Sequence, residues 1–297
     1  TRAADPILPW SILTSRTFVV STVVGMLAMG GMIGVLSYLP TYLQMVYGYS
    51  ATTSGLLLVP ITIGMLVSSI LSGVLVSRSN RYRIYPVLGP LMAAGASFWL
   101  SRLTTSSPVW QVSAATFIMG AGIGLFFQLL VTVVQNAIEA RHLGAATSGN
   151  NFFREVGVSL GASLIGAAFS SSLTSNLAER IGELARSADP AVLASLAQFR
   201  EADTSSLTPA LVGKLPGALH DAVVNSYADS LLPIFAWMIP LFVATSVIAL
   251  FLPEVPLSQK TGMEQIAEAE ASELTEREQE PAEGPVEVEQ DSVADAG

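Results

Sequence analysis

The sequence predicts an all-α integral membrane protein built as a bundle of six transmembrane helices. Of its 297 residues, 51% are hydrophobic and only 12% are charged, whereas about 25% of the residues in a soluble domain are charged. Long apolar runs fill residues 18–175, and only short polar patches interrupt them. This distribution is typical of a chain that crosses a bilayer several times.

Six apolar stretches are long enough to span a membrane, because about 20 helical residues cross a hydrocarbon layer roughly 30 Å thick. The predicted transmembrane helices comprise residues 18–46, 55–77, 84–103, 110–136, 150–173 and 230–252. Residues 18–260 are therefore predicted to form the membrane bundle. The long connection between the fifth and sixth helices, residues 174–229, is predicted to lie outside the cell, with short helical patches at 177–186 and 192–199.

Basic residues mark alternate connections between these helices. They precede the first helix, follow the last, and occupy the second and fourth connections: Arg2, Arg16, Arg78, Arg81, Arg83, Arg141, His142 and Lys260. By the positive-inside rule, both ends of the chain and these two connections are then cytoplasmic. The expected location is a bacterial inner membrane.

The two ends of the chain differ from the bundle. Residues 1–17 are predicted to form a cytoplasmic amphipathic lead-in, with Trp10 as an interfacial anchor. Residues 261–297 contain twelve acidic residues and one basic residue, Arg277, and are predicted to be a disordered cytoplasmic tail. Because the remaining chain has no basic stripe interleaved with aromatics, no nucleic-acid partner is expected.

The scarce reactive side chains argue against an enzyme. The chain contains no cysteine and only two histidines, which excludes disulfides, thiol catalysis and cysteine metal sites. It also lacks a glycine-rich phosphate loop with lysine. We therefore expect no enzymatic activity, no metal, no ATP-driven pump and no organic cofactor.

Small residues and prolines predict how the helices meet and bend. Glycines four residues apart let helix backbones approach closely, either in static packing or at a sliding interface. Two such pairs occur, Gly120 with Gly124 and Gly157 with Gly161. Pro40 and Pro60 are predicted to kink the first and second helices because each removes a backbone hydrogen bond.

A short internal repeat suggests two three-helix units. Residues 29–34 (MGGMIG) in the first helix resemble residues 119–124 (MGAGIG) in the fourth. A match at this position is expected of two units inserted with opposite orientation, that is, a 3+3 inverted repeat. The chain also begins at Thr1 without an initiating methionine, so we expect it to be a fragment of a longer protein.

Polar and aromatic side chains inside the helices form the candidate substrate cavity. Gln128 and Gln135 are seven residues apart and therefore share one face of the fourth helix. Such a stripe lines either a water-filled cavity or a hydrogen-bonded helix contact. The candidate cavity residues are Tyr38, Tyr42, Gln44, Phe127, Gln128 and Gln135.

Two charges lie clearly inside a predicted helix, Arg154 and Glu155. A charge in the bilayer is costly and is usually functional or paired. Adjacent helical residues do not face each other, so the two side chains should point to different surroundings. Arg154 either snorkels to the interface, forms part of a cytoplasmic gate, or is a partner for another helix bundle. Because carboxylates are almost absent at mid-membrane, any proton-coupling acid is expected outside this chain.

Several segments resemble a known family. Residues 39–44 (LPTYLQ) and 48–51 (GYSA) resemble the opening of the C-terminal half of 14-helix drug:proton antiporters, the EmrB/QacA branch of the major facilitator superfamily. Residues 144–149 (GAATSG) and 152–157 (FFREVG) are similar to the fourth cytoplasmic connection and fifth helix of that half. The resemblance covers about residues 6–257.

The cytoplasmic signature of this family, Gly-x-Leu-x-Asp-Arg-x-Gly-Arg, resembles residues 73–81 (GVLVSRSNR). Ser77 stands in place of the acid and Asn80 in place of the second glycine, whereas Arg78 and Arg81 are kept. The resemblance implies that these arginines join the two charges of the fifth helix at a cytoplasmic gate that closes against a missing N-terminal half. It also implies that the first, second, fourth and fifth helices border the cavity.

The resemblance implies half of a proton-coupled efflux transporter for hydrophobic or cationic compounds, working by alternating access. Its expected partners are membrane lipid, small-molecule substrates and the missing N-terminal half, with the proton gradient as its energy source. Two alternatives stay open. One is a lipid or lipoglycan exporter, in which the external segment extends the path away from the membrane. The other is a truncated membrane protein without transport activity, suggested by the start at Thr1.

Overall fold

The computed structural model describes residues 9–79, 82–138, 142–186, 209–213, 215 and 217–253. The helices in these ranges are α1 (Trp10–Thr14), α2 (Arg16–Tyr47), α3 (Ala51–Leu56), α4 (Val59–Ser79), α5 (Ile84–Ser101), α6 (Val109–Asn136), α7 (Leu143–Arg186), α8 (Pro209–Val212) and α9 (Gly217–Ala249). The described part of the chain contains no strand.

Six of these helical stretches are long and apolar enough to cross a membrane. They are α2, the combined stretch Ala51–Ser79 that contains α3 and α4, and then α5, α6, α7 and α9, with mean hydropathies between 1.2 and 2.2. The predicted all-α class and the predicted number of membrane helices are therefore confirmed.

The first membrane helix, α2, is continuous through Pro40. It ends at Tyr47 and is terminated by Gly48, whose φ of 69° lies in the left-handed region that glycine adopts without a steric penalty. On the C-terminal side of Pro40, the Gln44 side chain folds back and its Nε2 donates to the Pro40 carbonyl at 3.2 Å. The structure thus shows no break of α2 at Pro40.

The second predicted helix is interrupted just before Pro60. Ser50 caps α3 by accepting a hydrogen bond from the Thr53 amide at 3.2 Å. α3 ends at Leu56, and Pro60 is the second residue of α4. Because proline has no N–H to bond the carbonyl of Leu56, the helix restarts there. Pro60 therefore lies where the second membrane stretch, Ala51–Ser79, is interrupted, and the kink predicted there stays a prediction.

The fifth and sixth helices are longer than predicted. α7 continues to Arg186 and α9 begins at Gly217, whereas the sequence placed these limits at residues 173 and 230. At about 1.5 Å per residue, α7 is roughly 66 Å long, about twice the hydrocarbon thickness. The predicted patch 177–186 is part of α7, and the patch 192–199 lies outside the described residues.

A continued apolar stripe explains this extension. Four residues at helical spacing near the end of α7 pack on the main hydrophobic core together with the first turns of α9. They are Leu173, Leu177, Ile181 and Leu184. Between the two helices, Asn176 Nδ2 donates to Ser230 Oγ at 2.8 Å, and Arg180 forms an ion pair with Asp229.

The membrane helices form two triplets, and each helix of one triplet packs mainly on helices of the other. The first triplet is α2, α4 and α5, and the second is α6, α7 and α9. α2 packs along α7 while α6 packs along α4, so the first helix of each triplet packs on the second helix of the other. Each third helix packs on the first helix of the other triplet, α9 on α2 and α5 on α6, and the two third helices pack on each other. This exchange has the symmetry of a 3+3 inverted repeat.

Glycines line both exchanged crossings. A Cβ atom on Gly120 or Gly124 would overlap backbone carbonyl groups of α4, and one on Gly157 or Gly161 would overlap backbone carbonyl groups of α2. On the facing side, a Cβ on Gly30 would lie 2.8 Å from the carbonyl oxygen of Gly157. The two crossings therefore bring helix backbones into direct contact, which side chains of any size would prevent.

Candidate functional site

The contact between α6 and α7 brings a predicted cavity residue against a predicted gate residue. The guanidinium carbon of Arg154 lies 4.8 Å from the centroid of the Phe127 ring, within the range of a cation–π interaction worth about 0.5–2 kcal/mol. Both side chains are half-buried. The positive charge of α7 is thus held over an aromatic ring of α6.

Glu155, the next residue along the chain, is exposed and lies about 100° further around α7. The two charges therefore have different surroundings, as neighbouring positions on a helix require. Among the residues that the structure describes, no carboxylate forms an ion pair with Arg154.

The two glutamines of α6 have different environments. Gln135 is half-buried, and its Nε2 makes a long hydrogen bond of 3.5 Å to Thr147 Oγ1 of α7. Gln128 is exposed and adjacent in sequence to Phe127. Of the two, Gln128 keeps an amide that is free to contact a solute, whereas Gln135 bridges two helices.

The three predicted cavity residues of α2 also separate. Tyr38 is half-buried, and its ring lies 5.0 Å from that of Phe169 in α7, centroid to centroid. Tyr42 has no exposed surface and lies in the hydrophobic core. Gln44 is half-buried and bonded to its own helix. Tyr42 therefore has no surface to offer an open cavity in this structure.

The basic residues assigned to the gate lie at one end of α4. Arg78 is exposed in the last turn of that helix, where a cation is favourable beside the negative end of the helix dipole. Arg81 lies outside the described residues.

Two further groups were missed by reasoning from sequence. Asn150 Nδ2 donates to Thr22 Oγ1 at 3.0 Å, and both side chains are buried between α7 and α2. Asn150 is four residues before Arg154, so helical spacing was the available signal. The second group is an aromatic stack in which Phe169 contacts Tyr38 on one side and Tyr227 of α9 on the other, each with ring centroids 5.0 Å apart.

The exposed surfaces of α4 and α7 differ in character, although α7 also exposes Phe152, Leu160 and Leu164 beside its polar side chains. On α7, exposed polar side chains recur on one side of the helix, and we call them the α7 outer face: Glu155, Ser159, Ser163, Ser170 and Thr174. On α4, exposed branched aliphatic side chains form the α4 outer face: Ile63, Leu66, Val67, Ile70, Leu71, Val74 and Leu75. Two of the α7 hydroxyls, those of Ser163 and Thr174, donate to carbonyls of their own helix at 2.8 Å.

These features define a helical membrane protein with an exchanged-triplet core and one polar outer face. A family model for the Major Facilitator Superfamily matches residues 1–162, more than half of the chain. The chain belongs to the Major Facilitator Superfamily.

Relatives of this chain are transporters. It is 38% identical over 257 residues to an uncharacterized MFS-type transporter of Mycobacterium tuberculosis, covering 86% of this chain and 35% of that protein. It is 28% identical to the multidrug transporter protein MdtP of Bacillus subtilis, covering 93% of this chain and 53% of that protein. The chain thus spans between about a third and about half the length of these curated relatives.

A solved structure shares the fold. It is the crystal structure of a bacterial homolog to the human lysosomal transporter Spinster in an inward-facing and occupied conformation. The TM-score is 0.57 at 16% sequence identity, and the match covers 82% of this chain and 50% of that chain.

Proposed function

We propose that this chain is the C-terminal half of a multidrug efflux transporter of the 14-helix drug:proton antiporter branch. It exports hydrophobic or cationic compounds in exchange for protons by alternating access. The likeness to MdtP over nearly the whole chain supports the drug-efflux assignment.

One structural observation carries the proposal, the polar outer face of α7. A carboxylate and several hydroxyls exposed to hydrocarbon are unfavourable, and such groups in a membrane helix usually face a bundle interior or a water-filled cavity. Only 17% of the most apolar 18-residue stretch of α7 is buried within this chain, against 61% for α6. A second helix bundle, the N-terminal half, would complete the surroundings of α7.

Proton coupling then depends on that second bundle. The membrane helices α2, α4, α5 and α6 contain no Asp or Glu. In α7, the only carboxylate before residue 179 is Glu155, near its N-terminal end, and α9 carries Asp221 and Asp229 in its first turns, of which Asp229 is paired with Arg180. The main proton-coupling acid is therefore assigned to the partner half, and Arg154 to a gate that acts on all substrates alike.

Substrate preference is assigned to the surface around Phe127 and Gln128, which offers an aromatic ring beside a free amide. In the full-length protein, Gln128→Ala should change the relative resistance that it confers to different compounds by about two- to tenfold, the effect of one hydrogen bond. Resistance profiles across a panel of hydrophobic and cationic compounds in an efflux-deficient bacterial host measure this.

The matched control is Gln111→Ala, which removes the same side chain at the other end of α6. It should leave the profile unchanged, while both variants insert into the membrane at wild-type levels. An unaltered profile for Gln128→Ala across the panel would refute the cavity assignment.

The long extensions of α7 and α9 favour a second candidate function, the export of a lipid or lipoglycan. These extensions are joined to each other by the Arg180–Asp229 ion pair and the Asn176–Ser230 hydrogen bond. Replacing residues 187–208 with a flexible Gly/Ser linker, which leaves α8 and its buried Val212 in place, separates the two candidates. A drug exporter should keep its resistance profile, whereas a lipid exporter should show an altered envelope lipid composition.

A further inference from the structure

The antiparallel contact between α5 and α9 is closed at one end and open at the other. At the closed end, where α5 begins, side chains donate to backbone carbonyls across the contact: Tyr82 to Pro253, Arg83 to Leu250, and Ser246 to Val87. At the open end, where α5 finishes, the helices leave a cavity of about 490 Å³, which we call the α5–α9 groove.

The groove has an apolar wall and a charged rim. Its wall consists of one stripe of α9 and one ring of α5: Leu232, Pro233, Ala236, Ile239 and Phe98. Its rim carries Arg102 from the end of α5 and Asp229 from α9. The groove opens to the outside of the bundle, since Phe98 is 50% exposed. Apolar walls below a polar rim fit an amphiphile, not a small ion.

The positive side of the rim is available to an anion. The guanidinium carbon of Arg102 lies 5.1 Å from the centroid of the Phe98 ring, and the residue is exposed. Within the described residues, Arg102 forms no ion pair with a carboxylate. Its N–H groups can therefore donate to phosphate oxygens, for which the guanidinium geometry is well suited.

The negative side of the rim is available to a hydrogen-bond donor. Asp229 forms an ion pair with Arg180, but its side chain remains 53% exposed. Pro233 has no N–H and cannot bond the Asp229 backbone carbonyl four residues earlier, which leaves that oxygen as a further acceptor. A carboxylate and a carbonyl at one place on the rim fit an ammonium group.

Aromatic residues indicate that the groove lies at headgroup depth. Trp99 and Trp110, at the same end of the bundle, make an edge contact with ring centroids 6.3 Å apart. Trp110 is 62% exposed, as is typical of tryptophans that sit at the membrane–water interface.

We propose that the α5–α9 groove binds one membrane phospholipid with a primary ammonium headgroup. The phosphate accepts hydrogen bonds from Arg102, the ammonium donates to Asp229, and one acyl chain lies along the α9 wall. A choline headgroup has no N–H to donate to Asp229, a glycerol headgroup has no cation for it, and inorganic phosphate has no chain for the wall. This site is separate from the proposed substrate surface on α6.

Native mass spectrometry of the full-length protein in detergent, titrated separately with phosphatidylethanolamine, phosphatidylcholine, phosphatidylglycerol and inorganic phosphate, tests the site. Phosphatidylethanolamine should bind about tenfold more tightly than the other lipids, as expected for one charge-assisted hydrogen bond. Arg102→Gln should weaken its binding about tenfold, and Arg102→Lys should restore part of the loss. Ala236→Trp, which fills the groove without changing its charge, should weaken the binding of every lipid.

Asp229→Asn and Arg180→Gln separate headgroup recognition from helix pairing, because both break the Arg180–Asp229 ion pair and only the first removes the rim carboxylate. Asp229→Asn should abolish the preference for phosphatidylethanolamine over phosphatidylcholine, and Arg180→Gln should keep it. The proposal is overturned if Arg102→Gln binds phosphatidylethanolamine as the wild type does, if Asp229→Asn keeps the preference or Arg180→Gln loses it, or if phosphatidylcholine, phosphatidylglycerol or inorganic phosphate binds the wild type as tightly as phosphatidylethanolamine.

Discussion

The α2–α7 crossing and the α4–α6 crossing are built alike and differ on their outer sides. In both, glycines bring two helix backbones into direct contact, and each joins the first helix of one triplet to the second helix of the other. The α4 outer face is aliphatic between residues 63 and 75, whereas the α7 outer face carries a carboxylate and hydroxyls. The glycine contacts that both crossings share therefore stabilise the fold, whereas the difference between the two outer faces indicates where the function lies.

The symmetric part of this comparison is tested by adding one methyl group at each crossing. Gly120→Ala and Gly157→Ala should each destabilise the protein by about 2–3 kcal/mol, because the new Cβ meets a backbone carbonyl that cannot move aside. Thermal unfolding in detergent measures this.

The control is Gly73→Ala on α4, where a Cβ would meet no atom within 4 Å. This variant should be neutral or slightly more stable than the wild type, because alanine is the better helix former. A tolerated substitution at one crossing and a damaging one at the other would break the symmetry inferred from the helix contacts.

The difference between the two crossings is tested first at the Arg154–Phe127 contact, which joins α7 to α6. If Arg154 belongs to the proposed gate, Arg154→Ala should slow the transport of all substrates alike. A double-mutant cycle with Phe127→Leu should give a coupling free energy of about 1–2 kcal/mol in unfolding experiments. Wild-type transport rates in Arg154→Ala, or additive effects in the cycle, would mean that Arg154 only snorkels.

A smaller effect is expected at the buried Asn150–Thr22 hydrogen bond, which fastens α7 to α2. Asn150→Ala should cost about 1 kcal/mol of stability because it leaves the Thr22 hydroxyl without its partner. Combining Asn150→Leu with Thr22→Val replaces both polar groups with apolar ones of similar size, and thermal unfolding should then return close to the wild type. A double variant no more stable than Asn150→Ala would show that packing, not hydrogen bonding, dominates here.

Hydropathy alone predicted the six membrane helices but not where the longest one ends. Glu179, Arg180 and Glu183 lower the local hydropathy beyond residue 173, so the helix was predicted to stop there. The apolar stripe that includes Leu177 continues through the same turns and packs against α9, and this tertiary contact keeps the segment helical. Hydropathy averages all faces of a helix, whereas packing depends on one.

The contacts of the candidate site could be predicted only in part. Helical periodicity places Tyr38 and Tyr42 one turn apart on the same face, yet neighbouring helices bury Tyr42 completely and leave Tyr38 half-buried. Similarly, the position of Arg154 over Phe127 depends on the relative rotation of α6 and α7. The helical periodicity of each sequence segment does not determine this rotation, so Phe127 was predicted to line the cavity and Arg154 to belong to a separate gate.

The most direct test of the difference between the two outer faces uses the absence of cysteine from this chain. In a full-length protein free of other cysteines, Ser163→Cys on α7 and Ile70→Cys on α4 would be exposed to a charged, membrane-impermeant maleimide in native membranes. Because only the hydrated thiolate reacts, the α7 variant should be labelled at least about tenfold faster than the α4 variant. Equal labelling of the two variants, or faster labelling on α4, would contradict the proposal that the α7 outer face borders a water-accessible path.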